Sequence, residues 1–191
     1  MPENLQLELQ TKALLSEAEA KEVLSHVQVK TLKRKEFLLQ PGMVSQHMRF
    51  IESGALRSYT IEDDGSEHTL QLGVEGWWIN DLYSYLTQQA SRMFIQATEP
   101  AVLSLIPKPA LDVLLRKHPG LSYYFLDKFQ KAYVALQERT LEQLGNDAKD
   151  RYTRFCEQYP QLEQRFPQYM VASYLGITPE FLSQLRSKFR S

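Results

Sequence analysis

Apolar and polar positions change their rhythm three times along this chain. Between residues 5 and 26, Leu14, Leu15, Ala18, Val23 and Leu24 recur near a 3.6-residue period. This predicts helical structure, with Ser16-Glu17 resembling a helix start. From Val27 to Ile106 the pattern shortens to runs such as Glu36-Phe37-Leu38-Leu39, Met48-Arg49-Phe50-Ile51, Leu56 to Ile61 and His68 to Leu72. Turn residues separate them: Gln40-Pro41-Gly42, Glu52-Ser53-Gly54 and Asp63-Asp64-Gly65-Ser66. Asp64-Gly65 between two alternating runs predicts a hairpin, because glycine tolerates the positive φ such a turn needs. Short strands about ten residues apart predict an antiparallel barrel or sandwich.

After Ile106 the pattern becomes helical again. Pro107 and Pro109 open a short helix carrying Leu111, Leu114 and Leu115, and His118-Pro119-Gly120 breaks it. From about Leu121 to Leu144 there is neither Pro nor Gly, and Leu121, Phe125, Phe129, Ala132, Leu136 and Leu141 form a stripe near heptad spacing, closed by Gly145-Asn146. A helix of roughly 24 residues spans about 36 Å, more than one small barrel covers. Such a stripe predicts pairing with a second copy of the chain; packing on its own domains is the alternative.

The last 45 residues predict compact helices: Ala148 to Tyr159, ended by Pro160, then Gln168 to Leu175, Gly176-Ile177-Thr178, and Pro179 to Phe189. Ala172 is small where two helices approach, and Gly176 suits a tight inter-helix turn. Thr178 is placed to cap the second helix, with Pro179 at its first position and Glu180 near the positive dipole end. Leu182, Leu185 and Phe189 face inward. Glu180, Ser183, Gln184, Ser187 and Lys188 are left outside, a hydrogen-bonding set of the kind a major-groove helix presents. An ordinary helical hairpin is the alternative for this unit taken alone.

Composition narrows the class. The 191 residues are 43% hydrophobic and 24% charged, which is ordinary globular usage rather than disorder. No apolar run approaches the ~20 residues of a membrane span, and the N-terminus lacks the basic and apolar regions of a secretory signal. A soluble, cytoplasmic protein is expected. The single Cys156 allows no internal disulfide and no iron–sulfur cluster, and reads as a packed thiol. His26, His47, His68 and His118 are scattered rather than grouped as metal ligands, and no nucleophile elbow or phosphate loop occurs. No enzyme and no metal is expected. Net charge is −1, but residues 145–191 hold seven basic and five acidic side chains, a weakly basic tail.

The order of β-roll, long helix and helix–turn–helix resembles the bacterial cyclic-AMP receptor/Fnr (Crp/Fnr) family of transcription regulators. The resemblance runs over nearly the whole chain. It is carried by Leu38-Leu39-Gln40-Pro41-Gly42, by Phe50-Ile51-Glu52-Ser53-Gly54-Ala55-Leu56-Arg57, by Gly76-Trp77-Trp78-Ile79-Asn80-Asp81-Leu82 and by the segment from Met170 to Ser183. Trp77 to Leu86 is similar to a branch common in Bacteroidetes-type bacteria. The resemblance implies an α+β fold. Residues 1–120 would be a double-stranded β-helix (β-roll) sensor of the cyclic-nucleotide-binding type, 121–145 a dimerisation helix, and 146–191 a helix–turn–helix domain.

The same resemblance implies a ligand pocket at Asn80, Asp81, Leu82, Ser91, Arg92, Leu136 and Gln137. In the family's cyclic-nucleotide binders a small Gly, a ribose-binding Glu and a phosphate-binding Arg occupy the matching places. Here Asn80 replaces the Gly, Asp81 the Glu and Ser91 the Arg. Arg92 follows one residue later, and a one-residue shift in a strand points a side chain to the opposite face. Leu136 and Gln137 stand where hydroxyl residues meet the base. Cyclic AMP is therefore expected to bind weakly or not at all; no cofactor is implied with certainty, and the pocket takes another small-molecule effector or is vestigial. Trp77, Trp78, Tyr83 and Tyr85 form either an aromatic wall of that pocket or the seam against the long helix.

For DNA, the implied contacts are Thr178, Pro179, Glu180, Ser183, Gln184, Ser187 and Lys188. Gln184 stands where relatives often place Arg, yet glutamine still pairs with adenine. The sequence stops at Ser191 without the β-hairpin wing of many relatives, so phosphate anchoring would fall to Arg186, Lys188, Arg190 and helix N-termini. Two readings result. One is a homodimeric, effector-modulated regulator on a palindromic operator; the other is a small-molecule sensor or interaction module whose helical tail does not bind DNA.

Overall fold

The structure, a computed structural model, describes residues 2–145 and 147–189. They form two compact units: residues up to 58 with 73–130, and residues 59–72 with 131 onward.

In the first unit the N-terminal stretch is two helices, α1 (Glu3–Thr11) and α2 (Glu17–Ser25). The Ser16 side chain accepts from the Glu19 N–H while the Glu19 carboxylate accepts from the Ser16 N–H, and this reciprocal cap restarts the helix. Leu14, just before it, takes a left-handed φ of 54°. Seven strands follow: β1 (Gln28–Leu32), β2 (Phe37–Leu39), β3 (His47–Ser53), β4 (Ala55–Ile61), β5 (Glu67–Val74), β6 (Phe94–Ala97) and β7 (Ala101–Pro107). They make two sheets, ordered β1-β7-β3 and β2-β6-β4-β5. The expected β-roll is present.

Alternation along β3 divides the core. Met48 and Phe50 join Leu5, Leu9, Leu111, Leu121 and Phe125 in a cluster with the helices. Ile51 faces the interior with Leu39, Leu56, Ile95 and Leu103. Gly54 turns β3 into β4 at a φ of +90°, and a Cβ there would stand 2.4 Å from the Pro100 carbonyl oxygen, so both backbone shape and close approach require glycine.

The sheets are flanked by α3 (Leu82–Thr87), α4 (Lys108–Lys117) and α5 (Pro119–Gly145). α5 starts at Pro119, two residues earlier than expected, because proline suits a first helical position. Its first turns bury Leu121, Tyr124 and Phe125. Trp78 packs edge-on to Phe50 and against Phe125, and its indole N–H donates to the Tyr124 hydroxyl (2.8 Å). The seam reading holds for Trp78; Tyr85 is buried and Tyr83 is exposed.

The second unit contains the arm of the β4–β5 hairpin, the distal half of α5, and α6 (Ala148–Gln158), α7 (Pro160–Arg165), α8 (Gln168–Leu175) and α9 (Pro179–Phe189). Pro160 ends α6 as expected but also opens α7, a helix too short for periodicity to reveal. Asn146, read as part of the α5 cap, lies outside the described residues. Tyr152, Phe155, Leu162, Phe166, Val171, Ala172, Leu175, Leu182 and Leu185 are buried. The Ser173 hydroxyl donates to the Glu67 carbonyl (2.6 Å) and accepts from the Thr69 N–H (2.8 Å), and Arg139 donates to the Leu70 carbonyl (2.7 Å).

Candidate functional site

In the β-roll, the turn after β5 brings several of the implied pocket residues together. Asp81 is buried and caps α3: its Oδ1 accepts from the Ser84 N–H (3.0 Å) and its Oδ2 from the Ser91 hydroxyl (2.7 Å). Ser91 in turn accepts from the Met93 N–H (3.1 Å). The side-chain oxygen of Asn80 accepts from the Arg49 N–H (2.9 Å), fixing the turn to β3. Leu82 packs partly buried against the helical cluster. Arg92 is exposed on the approach to β6. Leu136 and Gln137 are exposed on the part of α5 that belongs to the second unit.

Three residues of the network were not singled out from the sequence: Ser45, Arg49 and Ser84. Ser84 accepts from the Ser45 N–H (2.9 Å) and donates to the Gln89 carbonyl (2.6 Å). Arg49 is 3% exposed and donates from Nη1 to the Ser45 hydroxyl (2.7 Å) and the His47 carbonyl (3.1 Å). Burial pushes its guanidinium down to about 10, against the opposing field of Asp81. The signal was present: an arginine inside the apolar run Met48-Arg49-Phe50-Ile51 demands a buried partner. His47 beside it is held below the usual histidine range by burial, then by the charges of Arg49 and Lys30.

Beyond its buried first turns, α5 carries an apolar face open to solvent. Leu126, Phe129, Tyr133, Leu136 and Leu144 are all exposed, and the first four repeat at heptad-like intervals of three and four. Phe125, assigned to the same stripe from the sequence, is instead buried in its own unit.

The helix–turn–helix geometry is regular. Gly176 ends α8 in the left-handed conformation at φ 68°. The Thr178 hydroxyl accepts from the Phe181 N–H (3.2 Å) and so caps α9, which opens at Pro179. Leu182 and Leu185 are buried, while Thr178, Pro179, Glu180, Ser183, Gln184 and Ser187 are exposed. The side chain of Lys188, the side chain of Phe189 and all of Arg190 lie outside the described residues. Arg186 pairs with Glu163 (3.0 Å), Arg154 with Glu142 (3.0 Å), and Arg151 donates to the Leu175 carbonyl (3.2 Å). These guanidinium groups hold the unit together, which reduces what they can offer a phosphate.

No helix among the described residues is long and apolar enough to cross a membrane, and no group of metal-ligating side chains occurs among them.

Comparison with known proteins agrees with this geometry. Residues 29–118 match the cyclic nucleotide-binding domain family. The chain is 26% identical, over 84% of its own length, to an anaerobic regulatory protein of Haemophilus influenzae, and spans 66% of that protein. Among solved structures it is similar to a mutant of CooA from Carboxydothermus hydrogenoformans, with TM-score 0.77, 20% identity, and coverage of 97% of this chain and 84% of that one. It is also similar to the c-di-GMP-responsive regulator CLP of Xanthomonas campestris, with TM-score 0.75, 15% identity and 92% of each chain covered. The family match thus shows a cyclic nucleotide-binding domain at residues 29–118, and the likeness to these solved structures shows the fold that the chain shares with them.

Proposed function

We propose that this chain is a homodimeric, effector-modulated, DNA-binding transcription regulator of the cytoplasm, acting by binding rather than by turnover. Residues 1–120 would sense, 121–145 dimerise and 146–191 read DNA. The observation that carries the reading is α9: Glu180, Ser183, Gln184 and Ser187 line its exposed face at helical spacing, opposite the buried Leu182 and Leu185. Residues i, i+3, i+4 and i+7 of a helix share one face. A polar face of this size on a capped second helix suits the major groove, where glutamine can hydrogen-bond adenine. The exposed apolar face of α5 supports a second copy, which would place two reading helices on one duplex.

Thr178, Pro179, Glu180, Ser183, Gln184, Ser187 and Lys188 are the proposed DNA contacts. Asn80, Asp81, Leu82, Ser91, Arg92, Leu136 and Gln137 are the proposed pocket residues, with cyclic AMP a poor ligand. Three basic side chains of the reading unit are engaged with their own acceptors, so we expect modest affinity. Selection of bound duplexes from a random pool by the purified protein tests the reading. It predicts recovery of an inverted repeat with half-sites about one helical turn apart. Recovery of no common sequence would favour the interaction-module reading, which the Arg186–Glu163 pair independently supports.

A further inference from the structure

We propose that Phe181 is a specificity-determining residue of α9, its ring meeting the C5-methyl group of a thymine in the major groove, at or beside the base pair read by Gln184. This rests on the DNA-reading half of the proposed function and adds to it a base that the helix selects.

One large apolar side chain stands among the exposed polar residues of α9. Glu180, Ser183, Gln184 and Ser187 are exposed, Leu182 and Leu185 are buried, and Phe181 is 41% exposed. At 100° per residue, Phe181 lies about 40° around the helix from Leu185 and about 60° from Gln184. It therefore borders the buried seam on one side and the polar face on the other. Its ring makes no aromatic or cation contact among the described residues. The Phe181 N–H is the one that the Thr178 hydroxyl accepts (3.2 Å), which fixes the residue in the first turn of α9. The N-terminal residues of a reading helix are those that contact base edges.

The chemistry of the groove then names what the ring meets. Against the hydrogen-bonding edges of the bases, or against phosphate, an aromatic ring would strip water and return no hydrogen bond. The major groove presents one apolar group, the thymine methyl, and phenylalanine is among the side chains that contact it. Residues three apart on a helix stand about 5–6 Å from each other, so Phe181 and Gln184 reach the same base pair or adjacent ones. Glutamine bonds adenine. Together the two side chains select an adenine and a thymine within one step of each half-site.

Deoxyuridine differs from thymidine only in lacking that methyl group. The test replaces each thymine of the selected duplex by deoxyuridine, one symmetric pair at a time, and measures the affinity of the full chain by fluorescence anisotropy. Burying one methyl group changes an equilibrium about fourfold, so wild type should bind about 15-fold more weakly when one particular thymine pair is replaced. Replacement of the other thymines should leave its affinity unchanged. Phe181→Ala should bind the thymine duplex at least as weakly as wild type binds the deoxyuridine duplex, and should not respond to the same replacement. Phe181→Leu should keep part of the response. The deoxyuridine comparison uses wild-type protein alone, so it holds whether or not the variants fold. A selected half-site with no thymine at or beside the pair set by Gln184, specific binding that no deoxyuridine replacement weakens, or an equal response in Phe181→Ala would overturn the role of Phe181 while leaving sequence reading by Gln184 in place. A Phe181→Ala dimer that dissociates more readily than wild type in sedimentation, with an unchanged deoxyuridine response, would assign the ring to a second copy of the chain and overturn it likewise. Recovery of no common sequence in the selection would overturn both this contact and the DNA-reading function on which it rests.

Discussion

Removing the apolar face of α5 should separate the dimer, and its size can be worked from exposure. Leu136 is 58% exposed and Phe129 38% exposed in the single chain. Fully burying such a side chain is worth about 1.5–3 kcal/mol. Covering the exposed fractions would then contribute about 1–1.7 kcal/mol for Leu136 and about 0.6–1.1 for Phe129 per subunit. A two-fold interface uses each residue twice, so the pair of alanine substitutions should cost the dimer about 3–6 kcal/mol. At about 1.4 kcal/mol per decade, the dissociation constant should rise roughly 100- to 20,000-fold. Replacing both residues by Glu should do more, since two like charges would then face each other on each side of the axis. Sedimentation equilibrium across nanomolar to micromolar protein measures this, with circular dichroism confirming that the helix content is kept. Val113→Ala on α4, also an exposed apolar position, serves as the control and should change nothing. A wild-type chain that is monomeric at micromolar concentration, or a double variant that dimerises like wild type, would refute the reasoning.

Gly54→Val should destabilise strongly, by about 3 kcal/mol or more, because it adds a branched side chain at positive φ against the Pro100 carbonyl; urea denaturation reads the loss, and a change under 1 kcal/mol would show that the turn relaxes. His47 sits below the ordinary histidine range in the folded chain, so its stabilising effect is complete above the unfolded value of about 6.5. As pH falls through 6.5 toward the folded value, the unfolded chain takes the proton first and stability drops. Wild type should therefore lose more stability between pH 7.5 and 5.5 than His47→Gln; identical pH profiles would contradict this. Thr178→Ala removes the α9 cap and should cost about 0.5–2 kcal/mol, seen as a lower denaturation midpoint of the C-terminal unit.

The sequence announced the architecture well wherever burial imposes a period. β2 to β5 emerged from short alternating runs, the break at Gly54 from its turn residues, and α8, Gly176, Thr178 and α9 from capping and small-residue logic. What escaped was set by tertiary contact or by brevity. α7 spans under two turns, too few for an apolar stripe. The split of α1 from α2 hangs on a capping box whose Ser16 was noticed but not used to end the preceding helix. Phe125 and Phe129 look alike along the heptad stripe, yet only the first is covered by its own unit, and a periodic pattern does not say which part of a stripe is already occupied. Of the buried network after β5, Asp81 and Ser91 were singled out through the spacing of the resemblance. Arg49 was not, because spacing around the phosphate turn carries no information about a side chain arriving from β3. Arg186 was read as a phosphate anchor, and its commitment to Glu163 depends on a helix that the pattern did not disclose.

The central claim is that α9 reads sequence. Fluorescence anisotropy with the selected duplex and a scrambled duplex, at matched salt, measures it directly. Wild type should prefer the selected duplex by about a thousandfold or more, and Gln184→Ala should lose about 1–3 kcal/mol of discrimination at one base pair in each half-site. Equal affinity of wild type for both duplexes, left unchanged by Gln184→Ala, would contradict the account.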